Sequence, residues 1–169
     1  MNKEKIAFIP RQYLAVIAVL LAIMMSVLDG TIMNIALPTL AHDFDVTPST
    51  AIWIVNAYQL VITMTLLSFA SLGDIYGYRR IFLIGISIFV GASLACTLST
   101  SFWMLTAARV IQGFGAACVM SVNTALIRLI YPPQILGRGM GVNAMVVAVS
   151  AAAGPSIAGS ILALGSWHW

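Results

Sequence analysis

Five apolar runs, each long enough to cross a bilayer, leave this 169-residue chain little choice of fold. They lie at about 13–37, 50–72, 81–98, 102–130 and 140–164. A helix of ~20 residues rising 1.5 Å each matches the ~30 Å hydrocarbon core. Within that core no water can satisfy backbone amides, so segments of this length must be helical. Composition points the same way: 61% of residues are hydrophobic and 8% charged, too few polar groups to coat a soluble domain. The expected fold is an all-α membrane protein.

Breaker and turn signals separate the runs: His42-Asp43-Phe44-Asp45 with Pro48, Gly73-Asp74 to Arg80, Leu98-Ser99-Thr100-Ser101, and Tyr131-Pro132-Pro133-Gln134. None leaves room for a soluble domain. Residues 1–12 form a short basic leader, and 13–169 the transmembrane bundle. The first run continues past Asp29 without a small-residue cleavage pattern, which reads as an uncleaved span rather than a signal peptide. Lys3, Lys5, Arg11, Arg79, Arg80, Arg128 and Arg138 all fall on one side of the membrane, whereas the links near Asp43 and Ser99 hold no Lys or Arg. The positive-inside rule makes that side, with the N-terminus, cytoplasmic. The net charge of +3 is thus a topology signal, and nucleic acid is not expected as a partner.

The eighth basic residue, Arg109, lies inside the fourth run, and Asp29 lies inside the first. A charge there is opposed by ~2.5–3.5 kcal/mol on insertion scales, so each needs a partner or a function. Counted from Tyr13, Asp29 sits about 24 Å up span one; Arg109, six residues past Trp103 on a span of opposite direction, sits about 9 Å below the outer edge. The depths agree, so the two are expected to pair, either as a static ion pair or as part of a proton path.

Arg109, Gln112, Gly113, Ala116, Met120 and Asn123 recur at helical spacing, and Asn56, Gln59 and Thr63 repeat the pattern in span two. Such faces turn toward other helices or a watery cavity, so the amides are either interhelical bonds or substrate contacts, with Asn34 a further cavity candidate. Trp53 and Tyr58 could meet an aromatic or lipophilic cation, although Trp53 also suits the interfacial belt. In span five, Ser150, Gly154 and Ala158 recur every four residues beside Pro155, a pattern that lets another helix approach closely and bends the chain. Cys96 and Cys118 read as small hydrophobes inside spans, and His42 and His168 as solvated or interfacial residues. No metal spacing, nucleophile and base, or strand-borne glycine fingerprint is present, so neither an enzyme nor a cofactor is expected.

Four motifs together resemble the major facilitator superfamily, specifically its fourteen-span drug:proton antiporter branch. "LDGTIMNIALP" (28–38) resembles the first-helix motif, "GDIYGYRR" (73–80) the cytoplasmic loop motif, "LTAARVIQGFGAA" (105–117) the fourth-helix motif, and "GPSIAG" (154–159) the fifth-helix antiporter motif. They occur in family order on the expected helices. Ile75 and Tyr78 depart from the family's basic residues, and Ser150 and Ala158 from its glycines, although smallness is kept.

The resemblance implies a major facilitator-type helical bundle, here five transmembrane helices of an incomplete N-terminal half. The remaining helices of a longer chain would be its partners, beside the lipid bilayer. It also implies a secondary transporter for a small-molecule substrate and protons, an exporter of lipophilic or cationic drugs in a bacterial inner membrane. Asp29 would be the proton-responsive carboxylate and Arg109 its modulator. Gly73, Asp74, Gly77, Arg79 and Arg80 would form a conformational latch, unless Asp74 only caps helix three and the arginines only anchor topology. Ser150, Gly154, Pro155, Ala158 and Gly159 would form the antiporter helix. A metabolite transporter of the same fold and a non-transporting receptor or scaffold are the alternatives.

Overall fold

A computed structural model describes residues 11–164, with side chains over 14–161. The basic residues Lys3 and Lys5, the side chain of Arg11, and His168 within the terminal aromatic cluster lie outside the described residues. Five helices follow in order: α1 (Arg11–Asp43), α2 (Pro48–Tyr76), α3 (Tyr78–Thr97), α4 (Phe102–Ile130) and α5 (Leu136–Leu164). A short 3-10 turn, Pro133–Ile135, precedes α5. All five are long and apolar enough to cross a membrane.

α1 and α2 overrun their apolar runs at both ends and α3 and α5 at their starts, while α4 coincides with its run. α1 passes through Pro38 to Asp43, because a proline removes only one backbone donor and the rest of the ladder can continue. The chain then turns at Phe44, whose N–H donates to the Leu40 carbonyl at 3.0 Å, and at Asp45, whose φ is +49°. Thr47 caps α2 by accepting the N–H of Thr50 at 3.3 Å, with Pro48 in the first turn, where its missing donor costs nothing.

The segment Gly73 to Tyr76 is not a loop: α2 runs through it. Only Gly77 breaks the path, with φ of +93°, a region where a side chain is strained. Its N–H closes α2 on the Gly73 carbonyl at 3.0 Å, and its own carbonyl opens α3 by accepting from Arg80 at 3.0 Å. Gly77, without a side-chain cap, therefore occupies the start of α3, and Asp74 remains inside α2. At the far end, Ser99 Oγ donates to the Cys96 carbonyl at 2.6 Å, and Ser101 caps α4 by accepting the Met104 N–H.

α4 is the most buried helix and organises the bundle, packing chiefly on α3 and α2, while α5 packs chiefly on α1. In a bilayer the lipid is as apolar as leucine, so helices associate through close packing and polar contacts rather than through escape from water. Small residues permit the approach. A Cβ on Gly115 would lie 2.5 Å from the Phe89 nitrogen, and one on Gly85 would lie 2.6 Å from Cys118 Cβ, so α3 and α4 nearly touch backbones. Gly113 meets the Tyr58 carbonyl oxygen of α2 in the same way, at 3.0 Å. The small-residue face of α5, with Ser150, Gly154 and Ala158 all buried, lies toward α1, and a Cβ on Gly154 would collide with Thr31.

Candidate functional site

The four helices α1 to α4 each send one or two polar or aromatic side chains to a single point in the bundle. Asp29 comes from α1, Tyr58 from α2, Ser93 and Cys96 from α3, and Arg109 with Gln112 from α4. On α4 the spacing of three residues stacks Arg109 and Gln112 on the same face, so they act as one surface.

Arg109 is fully buried, and its Nη1 donates to Asp29 Oδ2 at 2.7 Å and to Gln112 Oε1 at 2.6 Å. Gln112 completes the ring of contacts: its Nε2 donates to Asp29 Oδ1 at 3.0 Å and to Ser93 Oγ at 2.8 Å. The Cys96 thiol lies 3.7 Å from Gln112 Oε1. On the opposite side the guanidinium lies over the Tyr58 ring, 4.3 Å from its centroid. The Asp29 side chain remains 22% exposed, and both it and Arg109 line a cavity of about 340 Å³. Apolar side chains dominate its walls, among them Met25, Leu28, Met33 and Phe89, with Ala158 and Ile161 contributed by α5.

This arrangement has a definite chemistry. A carboxylate in low dielectric is costly without a counter-charge, and the guanidinium beside it supplies one. Both Asp29 oxygens are already occupied, one by Arg109 and one by Gln112. These two contacts tie α1 to α4 through the carboxylate. Among the described residues no group of His, Cys, Asp and Glu could hold a metal ion.

The structure brings some expected residues together and leaves others apart. Asp29, Arg109 and Gln112 meet, and Gly113 and Ala116 continue the same buried face. Met120 does not: it is 37% exposed. Asn123 is buried one helix half further along, where its Nδ2 donates to Asn143 Oδ1 of α5 at 3.0 Å. On α2 the buried face is Ala51, Ile54, Tyr58, Ile62 and Gly73, so Asn56, Gln59 and Thr63 point away from the bundle and are exposed. Thr63 Oγ1 donates to the Gln59 carbonyl, and exposed Asn34 donates to the Gly30 carbonyl, at 2.8 Å each. Near Gly77, Asp74 accepts the Tyr78 hydroxyl, Gly73 is buried, and Arg79 and Arg80 are exposed. On α5, Pro155 and Gly159 are exposed while Ser150, Gly154 and Ala158 are buried.

The sequence reading did not place Ser93, Cys96 or Asn143 in these networks, nor Tyr58 against Arg109. The stripe of Ile54, Tyr58 and Ile62, recurring every four residues, marks Tyr58 as facing the bundle but not what it meets there. Nothing in the spacing of Ser93 and Cys96 marks them apart from the small residues around them.

Comparison with known proteins follows the same lines. The family model described as Major Facilitator Superfamily matches residues 19–169. The chain is 58% identical over 161 residues to an uncharacterized transporter, YebQ, of Escherichia coli, covering 95% of this chain and 35% of that protein. It is 35% identical to the riboflavin transporter RibZ of Clostridioides difficile, covering 93% of this chain and 34% of that one. With the multidrug resistance protein Stp of Mycobacterium tuberculosis the identity is 36%, over 94% of this chain and 29% of that protein. The chain thus spans about a third of the length of the curated relatives it matches. Among solved structures, a bacterial homologue of the human lysosomal transporter Spinster, inward-facing and unoccupied, superposes with a TM-score of 0.78 at 20% identity. That match covers 91% of this chain and 32% of the other, and it bears on the fold alone. With residues 19–169 matched by the family model, the chain belongs to the major facilitator superfamily.

Proposed function

We propose that this chain is part of a proton-coupled exporter of lipophilic, often cationic compounds. The single observation that carries the reading is the Asp29, Arg109 and Gln112 network at the wall of an apolar cavity of about 340 Å³. An ion pair with no access to water would be purely structural. Here the carboxylate is partly open to the cavity, where a proton or a cation can compete with the guanidinium. Proton movement down a membrane potential supplies about 2.3 kcal/mol per 100 mV, enough to drive outward transport of a substrate.

Other residues take roles consistent with that cycle. Asn34, Asn56, Gln59 and Thr63 are exposed in these five helices, and polar groups on a lipid-facing surface are costly. We assign them, with Met120 and Asn123, to the transport pathway shared with the rest of the longer chain. Gly73, Asp74, Gly77, Arg79 and Arg80 form a latch around the left-handed pivot at Gly77, bridged by the Asp74 to Tyr78 bond. Ser150, Gly154 and Ala158 seal α5 against α1, with Pro155 and Gly159 on the outer side as the bend. The basic loops argue for a cytoplasmic N-terminus, and the bacterial relatives for a bacterial cell (inner) membrane.

The test is substrate-induced proton release from inverted vesicles holding the full-length protein. Wild type should release protons when a lipophilic cation is added, and Asp29→Asn should not. Absence of release from wild type across a panel of cations would refute drug export. A specific observation supports one alternative, export or import of a metabolite: the relative RibZ, 35% identical, carries the name of a riboflavin transporter. Riboflavin-driven flux that depends on Asp29 would select it.

A further inference from the structure

The hydrogen bonds of the buried Arg109 guanidinium all leave from one nitrogen. Nη1 reaches both Asp29 and Gln112, while Nε and Nη2 are buried and meet no acceptor. A cation with two orphan donors in low dielectric needs another source of stabilisation. The ring of Tyr58 lies where that source must be, its centroid 4.3 Å from Arg109 Cζ and the residue 3% exposed. The tyrosine hydroxyl is buried and without a partner, so the residue is not held there as a hydrogen-bond donor. What it presents to Arg109 is the negative face of its ring, and such contacts strengthen when both groups are desolvated.

We propose that Tyr58 is a positioning residue for Arg109: its ring holds the guanidinium in register with Asp29 whether or not the carboxylate carries a proton. The inference rests on the reading of Asp29 as the proton-carrying group. With Asp29 ionised, the guanidinium is held by carboxylate, Gln112 carbonyl and ring together. Once Asp29 is protonated, the ion pair is gone: the carboxyl can still accept a hydrogen bond but is no longer a counter-charge, and the Gln112 carbonyl and the Tyr58 ring are what else holds the cation. Of the other elements, α3 faces the cluster with Ser93 and the Cys96 thiol, and α5 with Ala158 and Ile161, none of them a counter-charge. The ring therefore keeps Arg109 from leaving the site while its partner is neutral, so that the same pair can re-form when the proton departs. It also joins α2, the helix that ends at the Gly77 pivot, to the proton-carrying pair between α1 and α4.

A series of side chains at position 58 in the full-length protein tests this, with tetraphenylphosphonium-driven proton release in proteoliposomes and thermal unfolding in detergent as readouts. Tyr58→Leu is expected to lower proton release about tenfold, and Tyr58→Phe to restore most of it. Phenylalanines carrying one, two and three fluorines, which weaken the ring face with little change of shape, should give a graded decline. In unfolding, the penalty of Tyr58→Leu should persist in an Asp29→Asn background and shrink in an Arg109→Met background to what loss of its packing against Ile62 and Phe89 leaves. Equal behaviour of Leu and Phe, a flat fluorine series, or an unchanged penalty without Arg109 would each overturn the proposal. If Tyr58→Leu does not fold, the fluorine series decides. If the wild type releases no protons, drug export fails, and the unfolding cycle still decides the role of Tyr58.

Discussion

At the scale of the residue, what matters about Arg109 is that its partners come from different helices. Asp29 is 80 positions away in the chain, and Tyr58 belongs to yet another span. Removing one member of a buried charge pair leaves the other uncompensated, at a cost of about 3–5 kcal/mol. Arg109→Met should therefore destabilise the full-length protein in detergent more than the double variant Arg109→Met with Asp29→Asn, and thermal unfolding would show the difference. Gln112→Leu strips the network of both an acceptor and a donor, so a loss of about 1–3 kcal/mol is expected from the same assay. Depth counting along two antiparallel spans was sufficient to anticipate that Asp29 and Arg109 meet. It could not anticipate the Tyr58 contact, because an aromatic in an apolar stripe carries no mark that separates a packing role from a cation partner.

At the scale of the element, close approach and one backbone turn set the geometry. A side chain at Gly115 would press on the Phe89 backbone, and overpacking of this kind costs typically about 1–3 kcal/mol. Gly115→Ala should lower the unfolding temperature, whereas Gly91→Ala on α3, where a Cβ meets nothing, should leave it nearly unchanged. Gly77→Ala tests the pivot: its φ of +93° makes the substitution strained despite open space around it, by about 1–3 kcal/mol. The run at about 102–130 matches α4, because Ser101 and the Tyr131-Pro132-Pro133 signal bound it sharply. The runs fell short for α2 and α3, since Gly73, Asp74 and the arginines look like a loop in composition yet continue the helices on either side of a single glycine. The exposed placement of Asn56, Gln59 and Thr63 was also beyond the pattern. A polar stripe identifies a face, but not which neighbour that face meets.

At the scale of the whole molecule, topology and coupling are the claims to test. In a cysteine-free background, Thr100→Cys in the α3 to α4 link should react with a membrane-impermeant thiol reagent applied to intact cells. Gln134→Cys, in the link before α5, should react only after permeabilisation; the reverse result would invert the orientation that the basic residues imply. The central claim, that Asp29 couples a proton to substrate movement, is tested most directly in proteoliposomes of the full-length protein with and without an imposed pH gradient. Asp29→Asn is predicted to retain substrate counterflow, which needs no proton, while losing all accumulation driven by the gradient. Gradient-driven accumulation that survives in Asp29→Asn would contradict the account and leave the carboxylate as a structural partner of Arg109.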